Sequence, residues 1–343
     1  MRIVSQLDPE TYDEIQNLVR SGAYRDIDQF IQVAVDNQLR IEKEEEGEAM
    51  EISDGGIKAM SAAQTETPSS TTIWGYSLPE SIPIADPYDT DREDTFLFSQ
   101  YYRFFPLKFV LIELAKVTAE RNGALELSEF RGHVRVEIES LRDALVQWEE
   151  QNDIKKQNRK STGLPKTDVK NPEYSMKRFL DQYVGKVRKS DLKPDTMGDD
   201  LALIAFQPLD EDRCLVQLSP SGRDFVELVN PLLDSGPDNI TLSSEEAEFL
   251  VSHIRRTLPS EFEFMEVIYR MLENHEGDSY TQHLEECREY LESASGFDNS
   301  PSENRVRSHT AGALSRMVEL GVVTRGNKRG VYDPETPPSE FAE

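Results

Sequence analysis

Phosphate binding is the first chemistry this sequence offers. Nine of its fourteen lysines stand between residues 151 and 193, at 155, 156, 160, 166, 170, 177, 186, 189 and 193. With three arginines they set twelve cations against five acids, a local net charge of +7 in a chain of net charge −27. A cationic island in an acidic chain calls for a polyanion, and a nucleic-acid backbone is the obvious one. Lys155, Lys156, Arg159, Lys160, Lys177, Arg178, Lys186, Arg188 and Lys189 are the candidate phosphate contacts. The alternative is a solvated face that neutralises acidic surfaces of the protein itself.

A second island lies near the C-terminus. Arg305, Arg307, Arg316, Arg325, Lys328 and Arg329 face one acid, Glu319, so residues 304–332 carry +5. Arginine matches the major-groove edge of guanine and asparagine that of adenine. Asn304, Arg305, Ser308 and His309, with Arg307 beside them, are candidate readers of base edges. Arg325, Lys328 and Arg329 are candidate grips on phosphate or the minor groove. The alternative is that these arginines pair with the acids of a protein partner.

Catalysis finds no support, and the chain reads as a non-enzyme with no cofactor. It has no phosphate-binding glycine loop of the usual spacing and no His-Glu-x-x-His. Its histidines, 133, 253, 275, 283 and 309, are scattered. His283 and Cys287 are four apart, with His275 nearby; these are zinc-ligand types, but the spacing reads as a partly exposed helix face, and no metal is expected. Asp168-Val169-Lys170 is too short a fragment to mark a nuclease.

The elements that must position these residues follow from periodicity and caps. Pro106 suits the first turn of a helix whose Leu107, Val110, Leu111, Leu114 and Val117 form a buried face, stopped by Asn122-Gly123. Ser128 is placed to cap a long helix with a core stripe of Val134, Ile138, Leu141, Leu145 and Trp148. Another helix is expected over 173–189. Strands over 201–206 and 213–218 flank a turn at 208–212, and helix returns over 219–233. Helices over 243–256, 261–273 and 280–293 follow. Ser302 caps a last helix through Leu320, ended by Gly321. Val322-Val323-Thr324 and Val331-Tyr332 then flank a glycine-rich turn, which predicts a hairpin.

Composition bounds the class. The chain has 343 residues, 37% of them hydrophobic, and a sequence pI near 4.6. The most apolar run, 104–117, contains Lys108 and Glu113 and is too short to cross a membrane. No signal peptide is evident, and two cysteines cannot make a disulfide framework; a soluble, cytoplasmic protein with no membrane partner is expected. Acid spread along the chain, with few lysines, resembles proteins of salt-accumulating archaea; a basic partner or mimicry of nucleic acid are the other readings of such acidity. Residues 46–94 hold eleven acids against two bases and four prolines, the composition of a disordered linker. Ile73-Trp74-Gly75-Tyr76 is the exception, either packed on a domain or a short docking motif.

The N-terminus is one short strand, closed by Leu7, before two amphipathic helices. Asp8-Pro9 fits an N-cap and first turn. Tyr12, Ile15, Leu18 and Val19 share one face, Gly22 ends the first helix, and Tyr24 follows. Asp26 caps a second helix with Phe30, Ile31, Ala34, Val35 and Leu39 on one side. Residues 1–45 resemble the ribbon-helix-helix family of DNA-binding dimers. The resemblance implies a homodimer whose paired strands place Arg2, Val4 and Gln6 in the major groove, or a dimer clamp that makes no DNA contact. Ser5, polar where the family is apolar, and Asp26, acidic near where it meets phosphate, depart from the pattern.

Two later stretches resemble winged-helix domains. One is the helix-helix-hairpin order of 95–235, with Leu218-Ser219-Pro220-Ser221-Gly222-Arg223 as the step after the wing. The other is 240–334, where Leu314, Met317, Val318 and Leu320-Gly321-Val322-Val323 are similar to a recognition helix running into its wing. The expected fold class is therefore mainly α with short β elements. A ribbon-helix-helix module (1–45), an acidic linker (46–94), two winged-helix-like domains (95–235, 240–334) and a polar tail (335–343) make up the chain. The expected function is a homodimeric, sequence-specific double-stranded-DNA-binding protein, a transcriptional regulator or a plasmid or mobile-element factor. The alternatives are a winged-helix adaptor that binds a protein in a chromosome-organising or defence complex, and an antitoxin-like protein.

Overall fold

The computed structural model describes residues 74–87, 94–188, 192–210, 213–294 and 300–335. The ribbon-helix-helix reading, with Arg2, Val4 and Gln6, lies outside the described residues, as does Lys189. Residues 69–343 cluster as one compact unit, which contains both expected winged-helix stretches. The fold is mainly helical, with a few short strands in small sheets.

Helix α1, Phe105–Arg121, starts with Pro106 in its first turn and ends on Asn122 in the left-handed conformation. It is buried on nearly every side, the signature of a central helix. Strand β1, Leu125–Glu126, runs directly into helix α2, Leu127–Gln151. Ser128 is therefore not the cap: β1 pairs with the later hairpin up to Glu126, and Leu127 already turns into the core. Of the expected stripe, Val134, Ile138, Leu141 and Leu145 are buried, while Trp148 is only half-buried.

The helix expected over 173–189 is shorter. Helix α3 spans Pro172–Phe179, passes into a π-helical turn at Leu180–Val184, and ends at Gly185 with φ 111. Lys186–Val187, strand β2, then pairs antiparallel with Pro194–Asp195, strand β3, which takes the backbone out of the helix. After a short helix α4, Met197–Asp200, the expected hairpin forms from β4, Ile204–Pro208, and β5, Cys214–Leu218. The sheet order is β1-β5-β4, all antiparallel. The helix expected over 219–233 is two: α5, Pro220–Glu227, and α6, Pro231–Ser235, with Leu228 extended between them and Pro231 starting the second.

The C-terminal half follows the expected order closely. Helix α7, Ser244–Thr257, opens with a capping box of Ser243 and Glu246. Helices α8, Pro259–Asn274, α9, Leu284–Ser293, and α10, Glu303–Glu319, follow; Ser302 caps the last. Strands β6, Val323–Arg325, and β7, Tyr332–Pro334, make the hairpin. Ser279 adds one antiparallel bridge to Val331, and the Tyr280 amide donates to the Gly330 carbonyl at 2.9 Å.

Residues 94–104 tie the halves together by crossing the C-terminal helices before α1 begins. Asp94 accepts from the Ser260 amide and hydroxyl at the start of α8. The Leu97 amide donates to Glu261 at 3.2 Å. Glu319, in the last turn of α10, accepts from the Phe104 amide and pairs with Arg103 at 3.0 Å. Lys108 of α1 meets Glu246 of α7 at 3.0 Å with both side chains fully buried. Part of the expected linker also packs on this unit. The Gly75 amide donates to Leu233, the Ala85 amide to Leu218, and Trp74, Tyr76, Leu78 and Ile82 lie against the core. Their apolar surface outweighs the acidity around them.

Candidate nucleic-acid interface

Helix α10 buries Val306, Thr310, Ala313 and Met317. Asn304, Arg307, Ser308, Ala311 and Ser315 recur at i, i+3, i+4, i+7 and i+11 on the opposite side. Asn304 and Arg307 are exposed, and the three small residues are half-buried. The outward stripe thus offers an amide and a guanidinium on an otherwise short-chained surface, where a partner can come close to the helix.

His309 is not on that stripe. Its ring meets Phe96 edge-to-face at 6.5 Å. Burial, followed by the charges of Arg316 and Arg305, lowers its pKa to about 4. It packs as a neutral aromatic and is not placed to read a base. Arg316 also leaves the expected basic island. Its side chain is 1% exposed, bonded to Glu261 at 2.5 Å and to the Tyr101 carbonyl at 2.7 Å. Glu319 leaves the surface as well, so Arg305, Arg307, Arg325, Lys328 and Arg329 are exposed with no surface acid among residues 304–332.

The hairpin brings its cations to the same place. Arg325 stands opposite Tyr332 in the β6–β7 register, and the turn closes with the Gly326 amide donating to Val331 at 2.9 Å. Tyr280 meets Tyr332 edge-to-face at 6.0 Å. Burial raises the pKa of Tyr280, while Arg307 from α10 and Arg329 from the turn pull it the other way. Both ends of the basic island therefore act on one tyrosine. Burial likewise raises Tyr332, and Arg325 opposes it. Neither tyrosine was singled out as a site residue from the sequence; Tyr332 follows the glycine-rich turn, but Tyr280 lies before α9, far upstream, so the sequence carried no signal for their meeting.

The lysine-rich stretch is only partly engaged by the protein itself: Lys160 is half-buried, while Lys155, Lys156, Lys166, Lys170, Lys177, Lys186 and Lys193 are exposed. Lys160 donates to the Pro237 and Asn239 carbonyls and lies 4.9 Å over the Trp148 ring. Burial lowers its pKa. Lys177 pairs with Asp181 at 2.8 Å and Lys186 with Asp195 at 3.1 Å. The Arg159 side chain is half-buried and donates to the Ile154 carbonyl at 3.4 Å, and Arg178 is half-buried and partnered. Lys155, Lys156 and Arg188 are exposed. Arg103, not flagged in the sequence, holds this loop by donating to the Lys160 and Thr162 carbonyls at 3.2 Å. The sequence joining β4 to β5, Asp210-Glu211-Asp212, is acidic.

His283 and Cys287 do not share a face. His283 precedes α9, whereas Cys287 is fully buried, its sulfur 3.8 Å from that of Met271 and its pKa raised to about 11 by burial. His275 and His283 instead stack on each other.

Compared with known protein families, curated proteins and solved structures, the chain finds no match.

Proposed function

We propose that this chain binds double-stranded DNA through α10 and the β6–β7 hairpin. One observation carries the reading: Arg307 of α10 and Arg329 of the hairpin turn, far apart in sequence, both act on Tyr280, and Arg325 acts on its neighbour Tyr332. Arg305 and Lys328 are exposed on the same two elements, with exposed Glu303, Asp333 and Glu335 only at the edges of the stretch. Phosphate neutralisation dominates DNA affinity, so a convergent cationic surface on an acidic protein marks where DNA would be tolerated. In this reading Asn304 and Arg307 face base edges, and Arg325, Lys328 and Arg329 hold the backbone.

The element order supports a winged-helix reading of both halves. Helix α8, the one-residue bridge at Ser279, α9, α10 and the hairpin follow the order of that motif, with the bridge on the second hairpin strand. Helix α1, β1, α2, α3 and the β4–β5 hairpin follow the same order, with β2, β3 and α4 inserted before the hairpin and β1 on the second hairpin strand. The first copy has an acidic sequence between β4 and β5, and two of its exposed lysines, Lys177 and Lys186, are already paired with Asp181 and Asp195. The homodimer implied by residues 1–45 would present two C-terminal surfaces and raise affinity through multivalency. On this reading the protein is a DNA-binding regulator or a plasmid or mobile-element factor.

Fluorescence anisotropy of the full chain with random and genomic duplexes, at low and molar KCl, tests the proposal. Expected is binding that weakens with salt and is lost in the R325A/K328A/R329A variant. Absence of binding at every salt concentration overturns it and leaves the protein-adaptor reading.

A further inference from the structure

The chain gathers four side chains of metal-ligand type where α8 passes into α9: His275, Asp278 and His283 between the helices, and Glu286 in the first turn of α9. His275, Asp278 and His283 place one ligand atom each within 4.8 Å of one another. The two imidazoles stack in parallel, 3.6 Å between centroids and 8° between planes. Each has its own carboxylate: His283 Nε2 lies 3.0 Å from Asp278 Oδ2, and His275 Nε2 lies 2.9 Å from Glu286 Oε1.

These distances are close to what a tetrahedral ion needs. Zinc–nitrogen and zinc–oxygen bonds of ~2.0–2.1 Å put neighbouring donors about 3.3 Å apart. An imidazole and a carboxylate held about 3 Å apart by one proton can exchange that proton for a metal ion with little movement. An ion lies in the plane of each imidazole that binds it, so binding requires one of the two parallel rings to rotate out of the stack, and the side chains have room for it. His275, His283, Asp278 and Glu286 are 35%, 20%, 53% and 41% exposed. Two neutral imidazoles and two carboxylates give a mixed nitrogen–oxygen set of charge −2, which suits a borderline divalent ion such as Zn2+ better than a hard oxygen-seeking ion such as Mg2+. Cys287 takes no part, because it faces Met271 in the core.

We propose that His275, Asp278, His283 and Glu286 form a binding site for a divalent transition-metal ion of the zinc class, and that the bound ion pins the loop against which the turn of the basic hairpin is anchored. The second half rests on the backbone: Ser279 and Tyr280, inside the ligand span, are bridged to Val331 and hydrogen-bonded to Gly330 in the hairpin turn. An ion holding residues 275, 278 and 283 removes freedom from the segment that anchors Gly330. Neither half depends on the hairpin touching DNA.

The test uses the full chain without a polyhistidine tag, stripped with a chelator, in 1 M KCl so that nonspecific attraction to the acidic surface is screened. Equilibrium dialysis with ZnCl2 is expected to give one high-affinity ion per chain. H275N/H283N is expected to weaken binding at least tenfold, and C287S to leave it unchanged. Should the double histidine variant fail to fold, D278N/E286Q, which alters two exposed carboxylates, is expected to weaken binding in the same direction. Cobalt(II) is expected to show visible tetrahedral absorption without the near-ultraviolet band of a thiolate ligand. Hydrogen exchange at Tyr280 and Val331 is expected to slow when Zn2+ is added to the wild type only. Zinc binding that is absent, or equal in wild type and ligand variants, overturns the site. Specific binding with no change in exchange at those two amides overturns the pinning.

Discussion

Arg316 and Glu261 form a fully buried ion pair, 2.5 Å from nitrogen to oxygen and each 1% exposed, at the crossing of α10 over α8. The other Glu261 oxygen accepts from the Leu97 amide, and Arg316 also donates to the Tyr101 carbonyl. The pair thus fastens residues 94–104 to two helices of the C-terminal half. Breaking a buried pair from one side leaves a charge with no partner and no water, at a cost of about 3–5 kcal/mol. Arg316→Met should therefore destabilise the protein by about that amount in urea unfolding. R316M/E261Q should recover most of it, because a glutamine side chain keeps an acceptor for the Leu97 amide without the charge. A loss of stability no smaller in the double variant than in R316M would refute this account.

Gly312 sits in mid-helix with the Ser99 carbonyl oxygen inside the contact distance of where a Cβ would stand. Alanine is the better helix former by about 1 kcal/mol, so propensity alone predicts a gain. The clash is with backbone, which cannot rotate away, and such overpacking costs about 1–3 kcal/mol. Gly312→Ala should therefore destabilise, while Gly132→Ala in α2, where nothing lies within 4 Å, should stabilise by about 0.5–1 kcal/mol. Thermal unfolding of the two variants checks the opposite signs.

These two sites also mark where the sequence stopped being legible. Pro106, Asn122, Ser302 and Gly321 announce helix ends through local backbone chemistry, and the apolar stripes of α2 and α10 announce buried faces. The β4–β5 and β6–β7 hairpins were visible as β-formers around turns. A stripe does not say what covers it, however. The crossing of residues 94–104, the burial of Lys108 and Arg316, and the withdrawal of Lys160 depend on partners far along the chain. Charge was therefore over-counted on the surface wherever a distant carboxylate or carbonyl stood opposite. The C-terminal cationic island was legible, but the approach of Arg307 and Arg329 to Tyr280 and the packing of His309 against Phe96 were not.

His309 gives the protein an acid-sensitive limb. Its folded pKa is about 4, set by burial and then by Arg316 and Arg305. An unfolded histidine titrates near ~6.5. As pH falls from about 6.5 toward 4, the unfolded chain takes up a proton that the folded chain refuses. Stability should fall across that window by up to about 3 kcal/mol. Above pH 7 the group is neutral in both states and contributes no slope. His309→Phe keeps an aromatic against Phe96 and removes the proton. Urea unfolding of wild type and H309F at pH 7, 6 and 5 should show the wild type losing more stability; parallel curves would refute the assignment.

The two basic islands predict different salt behaviour, and this separates surface charge from structural charge. On the DNA-binding reading, each phosphate neutralised contributes about 0.9 to the slope of log K against log salt. Removing Arg325, Lys328 and Arg329 together should flatten the slope by roughly 2–3 per chain, scaled by how many touch phosphate. Lys177→Ala and Lys186→Ala remove cations already paired with Asp181 and Asp195, so both slope and affinity should stay nearly constant. Lys160→Ala should lower stability, through the loss of its carbonyl contacts and the Trp148 ring, with little effect on the slope. Binding of one duplex measured from 0.1 to 1 M KCl, with each variant's unfolding curve in parallel, decides between them. A slope that flattens with the lysine variants but not with the hairpin variant would move the DNA surface from α10 and its hairpin to the first half of the compact unit.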